Sequence, residues 1–334
     1  MAFVVGQSQI QRTMKQVEQL EVLRSAPHYF GLVPPQKILG TENQVVRGEK
    51  VTFTIKTYIP DIVIAEANIE LENIFDDTNL DFKDELIAAC REILQEHKIR
   101  KETDEEYSVW CVGNYEGSPD AFLAFSDKIA GFLKSEKLHL DEKEIEKTLE
   151  ASIKYAQNDL TIVDWDGAFV FEPESQFGPM IELFQLANLQ LLRYRILDIE
   201  LDQRMKRVNQ MLKERESKSL SFKSYEVKQA VKELIAMRSA SVLEFESTER
   251  DIKLIGDWYS ARLFDLIAKK FHFDEWRHRI QLKLDAIEDI YSMVAENFNV
   301  SLRSRLENIQ MIGWLILMIG WFILIIFEFA QFLR

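Results

Sequence analysis

The stretch "MIGWLILMIGWFILIIFEFA", residues 311–330, decides how this chain is interpreted. No charged residue occurs from Met311 to Phe327, and the first to follow is Glu328. A helix on the surface of a globular core has a polar face, and this stretch has none. An apolar run of this length can cross a bilayer. The sequence therefore predicts one C-terminal transmembrane helix over residues 311–333. The run is not a secretory signal, because such a signal lies at the N-terminal end of a chain.

The apolar run contains two glycine–tryptophan pairs, Gly313 with Trp314 and Gly320 with Trp321, spaced seven residues apart. Small residues allow membrane helices to approach closely, so these four residues are candidates for helix packing. The alternative is a chance spacing within an apolar segment. Glu328 is a candidate intramembrane acid, because an ionisable group in a span is by default a functional hypothesis. It can also lie at the level of the lipid headgroups.

Basic residues mark the side from which the run enters the membrane. Arg303 and Arg305 precede it, and only Arg334 follows it, which is a weak positive-inside bias. The absence of a signal peptide and the two lone cysteines, Cys90 and Cys111, indicate a reducing compartment. We expect an integral membrane protein with a single span, most of the chain in the cytosol or the mitochondrial matrix, and an inner membrane as its location.

Composition excludes several classes of function. The chain has 334 residues and a net charge of −14, so direct binding to nucleic acid is not expected. It contains no phosphate-binding loop, no dinucleotide fingerprint and no zinc-protease motif. The five histidines are scattered, and no spacing indicates a metal site. We therefore predict no catalytic residues, no metal and no cofactor, and we expect that the protein is not an enzyme.

The N-terminal half reads as an α/β domain. Residues 1–45 are predicted to form an arm, and residues 46–175 a sheet covered by helices. A helix is expected to begin after Ser118. The dipeptide Asp166–Gly167 lies between two apolar, strand-like runs and predicts a β-hairpin.

From residue 176 to residue 310 the pattern is helical throughout, which gives an α+β fold class with a long coiled-coil region before the span. Apolar residues at steps of three and four predict a seam. Its central members are Leu197, Leu201, Met205 and Val208. From Asp274 no proline or glycine intervenes before the apolar run, so one helix of about 55–60 residues is expected, half in water and half in lipid.

Several of these segments resemble a known family. The C-terminal stretch "SLRSRLENIQMIGWLILMIGWFILIIFEF", the segment "DLTIVDWDGAFVFEPES" and the helix "MIELFQLANLQLLRYRILDIELDQ" are similar to parts of the required-for-meiotic-nuclear-division protein family. The resemblance covers mainly residues 155–330. It implies a membrane-anchored, non-enzymatic protein, and some family members support translation at the inner membrane of an organelle. A tryptophan frequent in the family's hairpin is replaced by "VFEPE" here.

These features favour a membrane-anchored scaffold or tethering protein that oligomerises through its long helices. Its expected partners are the lipid bilayer, further copies of the chain and a protein that the sequence does not identify. An alternative is a subunit of a CorA-like ion channel or transporter, in which an α/β domain also leads into a long helix. Two features argue against this alternative: the chain has one predicted span instead of two, and it lacks the Gly-Met-Asn pore motif.

Overall fold

A computed structural model describes most of the chain. The described residues are 1–10, 36–58, 61–216 and 258–332, with isolated positions at 232, 235–236, 239–240 and 243. For residues 36, 101–102, 208–209, 211–216, 291–308, 324 and 327–332 the description covers the backbone alone. The chain divides into two compact units. The first comprises residues 1–203 and 236–280, and the second comprises residues 204–235 and 281–334.

The first unit is built on one eight-stranded sheet with the order β2-β3-β4-β1-β5-β8-β7-β6. All neighbouring strands are antiparallel except β5 and β8, which are parallel. The strands are β1 (Ala2–Ser8), β2 (Gln36–Val46), β3 (Glu49–Tyr58), β4 (Ile62–Asn68), β5 (Ile99–Val112), β6 (Ser152–Ile153), β7 (Leu160–Val163) and β8 (Gly167–Phe171).

The described helices are numbered here in chain order. They are α1 (Thr78–Glu96), α2 (Ser126–Leu133), α3 (Glu142–Glu150), α4 (Gly178–Glu216), α5 (Trp258–Lys270) and α6 (Phe273–Phe332). A short 3₁₀ helix, Pro119–Phe125, leads directly into α2. The Ser118 side chain accepts a hydrogen bond from the backbone N–H of Asp120, which confirms the predicted helix start after Ser118.

Helices cover both faces of the sheet in the first unit. On one face α1 packs on β1, β3 and β4 through residues such as Phe53 and Leu86, and α2 packs beside it around Trp110. On the other face Tyr107 of β5 stacks against Phe184 of α4. Because strands β1, β4 and β8 are buried on both faces, their sequences are almost continuously apolar rather than alternating.

The prediction of a separate arm at residues 1–45 is wrong where the structure describes it. Strand β1 lies in the middle of the sheet between β4 and β5, and β2 forms one edge. The residues of β1 from Ala2 to Val5 are fully buried. A four-residue apolar run shows no period of its own, so the sequence does not distinguish a buried strand from a segment of a buried helix. The helix expected early in this region falls outside the described residues.

Two hairpins order the sheet locally. The predicted hairpin at Asp166–Gly167 is confirmed, with Val163 paired to Ala168 across the turn. The hairpin between β2 and β3 turns at Arg47 and Gly48, which both have positive φ, at 51° and 86°. Two positive φ values are typical of the tight turn that matches strand twist, and Gly48 supplies one of them without strain.

The long helices are confirmed, and the protein is mixed α+β. Residues 1–177, which contain the sheet with α1, α2 and α3, are called the sheet domain. Leu201 of the predicted seam is fully buried within the first unit, whereas Leu197 and Met205 are half-buried. The side chain of Val208 lies outside the described residues. No coiled coil is shown in the described part of the chain, and Leu201 is already fully buried within the single chain. The coiled coil stays a prediction.

Over its described residues, no helix is long and apolar enough to cross a membrane. The predicted span at residues 311–333 includes positions whose side chains are not described, and it stays a prediction.

Candidate functional site

The apolar segment, residues 311–327, lies within α6 and is the largest exposed apolar feature described. Its described large apolar side chains, from Met311 to Ile326, are between 50% and 69% exposed. Trp314 and Trp321 are the most exposed of them, together with Met318. Soluble monomers rarely expose contiguous apolar patches of more than a few hundred Å². The segment is therefore the candidate functional site.

The exposed side chains surround the helix on all sides. Consecutive residues from Met311 to Ile323 are exposed, and consecutive residues of an α-helix point in directions 100° apart. A Cβ atom added at Gly313 or Gly320 would meet nothing within 4 Å, so both glycines lie on open surface. A helix that is apolar all round is typical of a large core or of a membrane span.

Three predicted residues at the ends of the segment have no described side chain. Arg303 and Arg305 precede it, and Glu328 follows it, all within the continuous backbone of α6. Their predicted roles at the membrane surface stay predictions.

A buried acid joins the sheet to α4. Glu66 of β4 is 7% exposed, and its carboxylate accepts hydrogen bonds from Lys56 Nζ at 2.5 Å, Asn68 Nδ2 at 2.6 Å and Gln185 Nε2 at 2.7 Å. Three donors compensate the loss of water around the charge. The cluster therefore fixes how α4 lies on the sheet.

A second buried acid, Glu105 of β5, pairs with Arg195 of α4. Burial raises the pKa of the Glu105 carboxyl to about 7, against the opposing effect of the Arg195 guanidinium. The neighbouring acids Asp104 and Glu106 also raise this pKa. A carboxyl whose pKa lies near neutrality changes its charge in the physiological range. Its position under a helix makes it a structural group rather than one facing an open cleft.

Polar contacts also tie α4 to the first turns of α6 within the first unit. Arg279 Nε lies 3.1 Å from the buried carboxylate of Asp198. Arg277 Nε donates to the hydroxyl of Tyr194 at 3.3 Å. These contacts anchor the N-terminal end of the helix that carries the apolar segment.

Asp164 connects the two helical layers at the turn between β7 and β8. Its carboxylate lies 3.3 Å from Lys134 Nζ, just after α2, and 3.3 Å from Lys270 Nζ, the last residue of α5. Its backbone carbonyl accepts a 3.0 Å hydrogen bond from the hydroxyl of Tyr107. A single acid thus holds elements from opposite faces of the sheet.

Among the described residues, no three His, Cys, Asp or Glu side chains lie close enough together to hold a metal ion. A small cavity of about 20 Å³ lies beneath α1, which is room for about one water molecule. It is lined by Met1, Ala2, Ile69, Leu71, Asn79, Phe82, Lys83, Leu86 and Trp110.

The buried polar contacts of Glu66 and Glu105 could not be recognised in the sequence. Glu66 and Gln185 are 119 residues apart in the chain, and Glu105 and Arg195 are 90 apart. Such pairs depend on the order of the strands, which spacing along the chain does not encode. The one usable signal was an acid within an apolar strand, as in "IVIAEAN", residues 62–68.

A family model covering the sheet domain matches residues 5–177, more than half of the chain. It is described as the N-terminal domain of the uncharacterized protein MJ0711. The chain belongs to the MJ0711 N-terminal domain family. The matched region ends where β8 leads into α4, so the family domain corresponds to the sheet with α1, α2 and α3.

A relative from Methanocaldococcus jannaschii, the uncharacterized protein MJ0711, is 28% identical over 243 residues. These cover 71% of this chain and 73% of the relative, so the similarity extends past the sheet domain into the helical part. No solved structure matches. The comparisons show nothing of the required-for-meiotic-nuclear-division family, and that resemblance stays a prediction.

Proposed function

We propose that the protein is a non-enzymatic scaffold, anchored in a lipid bilayer by the apolar segment of α6, which holds the sheet domain at the membrane. The observation that carries this proposal is the exposure of the apolar segment on every side of the helix. Water is an unfavourable environment for such a surface, and a bilayer can cover all of it at once.

The length of the segment supports a span rather than a helix lying on the surface. Between Glu307 and Glu328 there are 20 residues without charge. At ~1.5 Å per residue they extend over about 30 Å, the thickness of a typical hydrocarbon core. A helix that lies in the interface has one strongly polar face, and residues 311–327 have none.

The charges around the span support one orientation. Arg303 and Arg305 on its N-terminal side, against Arg334 alone beyond it, favour a sheet domain in the cytosol or the matrix by the positive-inside bias. The resemblance of residues 155–330 to a membrane-anchored family agrees with this arrangement. The partner that the scaffold holds is a protein of unknown identity, to be found by crosslinking in intact membranes.

The test is flotation of the full-length protein with liposomes on a density gradient. The unmodified protein is expected to float with the lipid and to resist carbonate. Arginine at the centre of a span costs ~2.5–3.5 kcal/mol per residue, so the double variant Ile316→Arg/Ile319→Arg is expected to remain at the bottom. The matched control is Val45→Arg/Leu138→Arg, which places the same charge on two exposed apolar residues of the sheet domain.

Lipids brominated near the middle of their chains provide a second readout. They are expected to quench the fluorescence of Trp314 and Trp321 in the unmodified protein. An unmodified protein that stays at the bottom of the gradient and is not quenched would overturn the proposed anchor.

A further inference from the structure

The indole N–H of Trp110 is a buried hydrogen-bond donor in the middle of the sheet domain. Trp110 lies on β5 and is 5% exposed. In the described part of the chain, no protein nitrogen, oxygen or sulfur atom accepts a hydrogen bond from its Nε1 atom. A buried donor without an acceptor costs ~1–3 kcal/mol, and a buried tryptophan N–H usually has a partner. An aromatic face or a small polar molecule can supply one.

The aromatic neighbours of Trp110 provide only a weak acceptor. Its ring meets that of Phe132 edge to face, with centroids 4.6 Å apart, and stacks on that of Phe169. A hydrogen bond from an N–H to an aromatic ring is a second-order interaction. It compensates less of the cost of burying the donor than an oxygen acceptor does.

The cavity beneath α1 adjoins Trp110 and is large enough for a water molecule. Its volume is about 20 Å³, and Trp110 is one of its lining residues. One water molecule requires ~10–15 Å³ together with two to four polar partners. Two further residues of the lining, Asn79 and Lys83, both on α1, have polar side chains.

Asn79 can offer the cavity an acceptor. The residue is 8% exposed, and its Nδ2 donates to the backbone carbonyls of Asn73 at 2.8 Å and Ile74 at 3.1 Å. Those two bonds use both amide hydrogens, so the group that Asn79 can contribute to a ligand in the cavity is its Oδ1 atom.

Lys83 can offer the cavity a donor. The residue is 6% exposed, and its Nζ donates to Ser135 Oγ at 2.6 Å and lies 3.1 Å from Asp84 Oδ1. An ammonium group has three N–H donors, so a third remains after these two contacts. A cation in the cavity would be repelled by Lys83, and an anion would meet the Asn79 Oδ1 atom. A neutral molecule that both donates and accepts fits the two side chains together.

We propose that the cavity beneath α1 is a binding site for one ordered water molecule, which accepts the hydrogen bond of the Trp110 indole N–H and joins it to Asn79 and Lys83. The water oxygen accepts from Trp110 and Lys83, and one of its hydrogens is donated to Asn79 Oδ1. Three hydrogen bonds are typical of a buried water. The site links β5 to α1, and it is independent of the proposed membrane anchor.

The test is NMR spectroscopy of the full-length protein in detergent micelles, with ¹⁵N in its six tryptophans. Transfer of magnetisation from water to the indole N–H of Trp110 is expected, with the sign of a water that stays bound while the protein tumbles. Trp165, which is 44% exposed, is the control for brief contact with bulk water. Trp110→Phe identifies the resonance. If that variant does not fold, Phe variants at the other five tryptophans identify it by elimination.

Two substitutions exclude other sources of the signal. Lys83→Met removes the exchangeable ammonium protons, which relay magnetisation, and the transfer to Trp110 is expected to persist. Its loss in this variant would overturn the water site. Absence of the transfer in the unmodified protein would also overturn it, and a Trp110 N–H resonance that then shifts in Phe132→Leu would assign the hydrogen bond to the Phe132 ring.

Discussion

The amide of Gln185 on α4 donates a 2.7 Å hydrogen bond to the carboxylate of Glu66 on β4, and both residues are buried. This contact joins the first long helix to the middle of the sheet. Its geometry leads to a direct prediction about stability.

Replacing Gln185 with Leu is expected to destabilise the protein by ~1.5–3 kcal/mol, because a hydrogen bond to a buried charged group is lost. Urea unfolding of the full-length protein in detergent, followed by near-UV circular dichroism, measures the change. Gln176→Leu is the matched control, since Gln176 is exposed. Equal effects of the two substitutions would show that the contact with Glu66 contributes nothing.

Glu105 leads to a prediction about pH. Burial raises the pKa of its carboxyl in the folded protein to about 7, from 4.5. The folded state therefore binds this proton more tightly than the unfolded chain. The resulting stability is present below pH ~4.5 and is lost as the pH rises through ~7.

Glu105→Gln, which cannot ionise, is accordingly expected to gain ~1–3 kcal/mol relative to the unmodified protein between pH 5 and pH 8. Urea unfolding at several pH values measures the difference. Glu85→Gln is the control, because Glu85 forms an exposed pair with Arg47 worth less than ~1 kcal/mol. A difference for Glu105→Gln that stays constant with pH would contradict the prediction.

Lys98 has a φ of 55°, in the left-handed region, immediately after the end of α1. Residues other than glycine are strained in this region by ~1–2 kcal/mol. Glycine removes that strain, but it also gives the unfolded chain more conformational freedom, which lowers the folding stability by ~0.5–1 kcal/mol. The first effect is larger, so Lys98→Gly is expected to stabilise the protein by about 0.5–1 kcal/mol. Lys98→Ala retains the strain and is expected to show no gain in the same unfolding measurement.

Elements with a strong local signal were predictable from the sequence. The Asp166–Gly167 turn specified the β7–β8 hairpin, and the helical steps of three and four specified α4 and α6. The apolar segment was recognised from composition alone, since 17 residues without charge need no partner to be noticed.

Elements that depend on distant residues were not predictable. Strand β1 is short and buried on both faces, so its sequence has no alternation, and its place between β4 and β5 is fixed only by the assembled sheet. The seam at Leu201 is periodic, but periodicity does not say whether a second copy or the chain's own sheet covers it. In the structure Leu201 is fully buried within the single chain.

The two thiols are expected to be unreactive in the folded protein. Burial raises the pKa of Cys90 to about 12 and that of Cys111 to about 11, so thiolate is scarce at neutral pH. Labelling with a maleimide is expected to be slow for both and slower for Cys90, which is fully buried. Rapid labelling of native protein, compared with protein in urea, would contradict this burial.

Asp164 is expected to be the most sensitive acid of the turn between β7 and β8. Lys134 and Lys270 each approach its carboxylate to 3.3 Å, and the N–H of Trp165 donates to it at 2.9 Å. Asp164→Asn keeps the shape of the side chain and the hydrogen bond from the Trp165 N–H, but it removes the negative charge that Lys134 and Lys270 share. Since both lysines are partly exposed, water offsets part of the loss.

A destabilisation of ~1–3 kcal/mol is therefore expected for Asp164→Asn, decreasing as salt is added. Asp120→Asn is the matched control, because Asp120 pairs with Lys154 on the surface, where a pair contributes less than ~1 kcal/mol. Hydrogen exchange gives the spatial readout: loss of the shared acid should speed exchange at the C-terminal ends of both α2 and α5, on opposite faces of the sheet. Faster exchange at only one of the two helices would mean that Asp164 holds that helix alone and does not connect the layers.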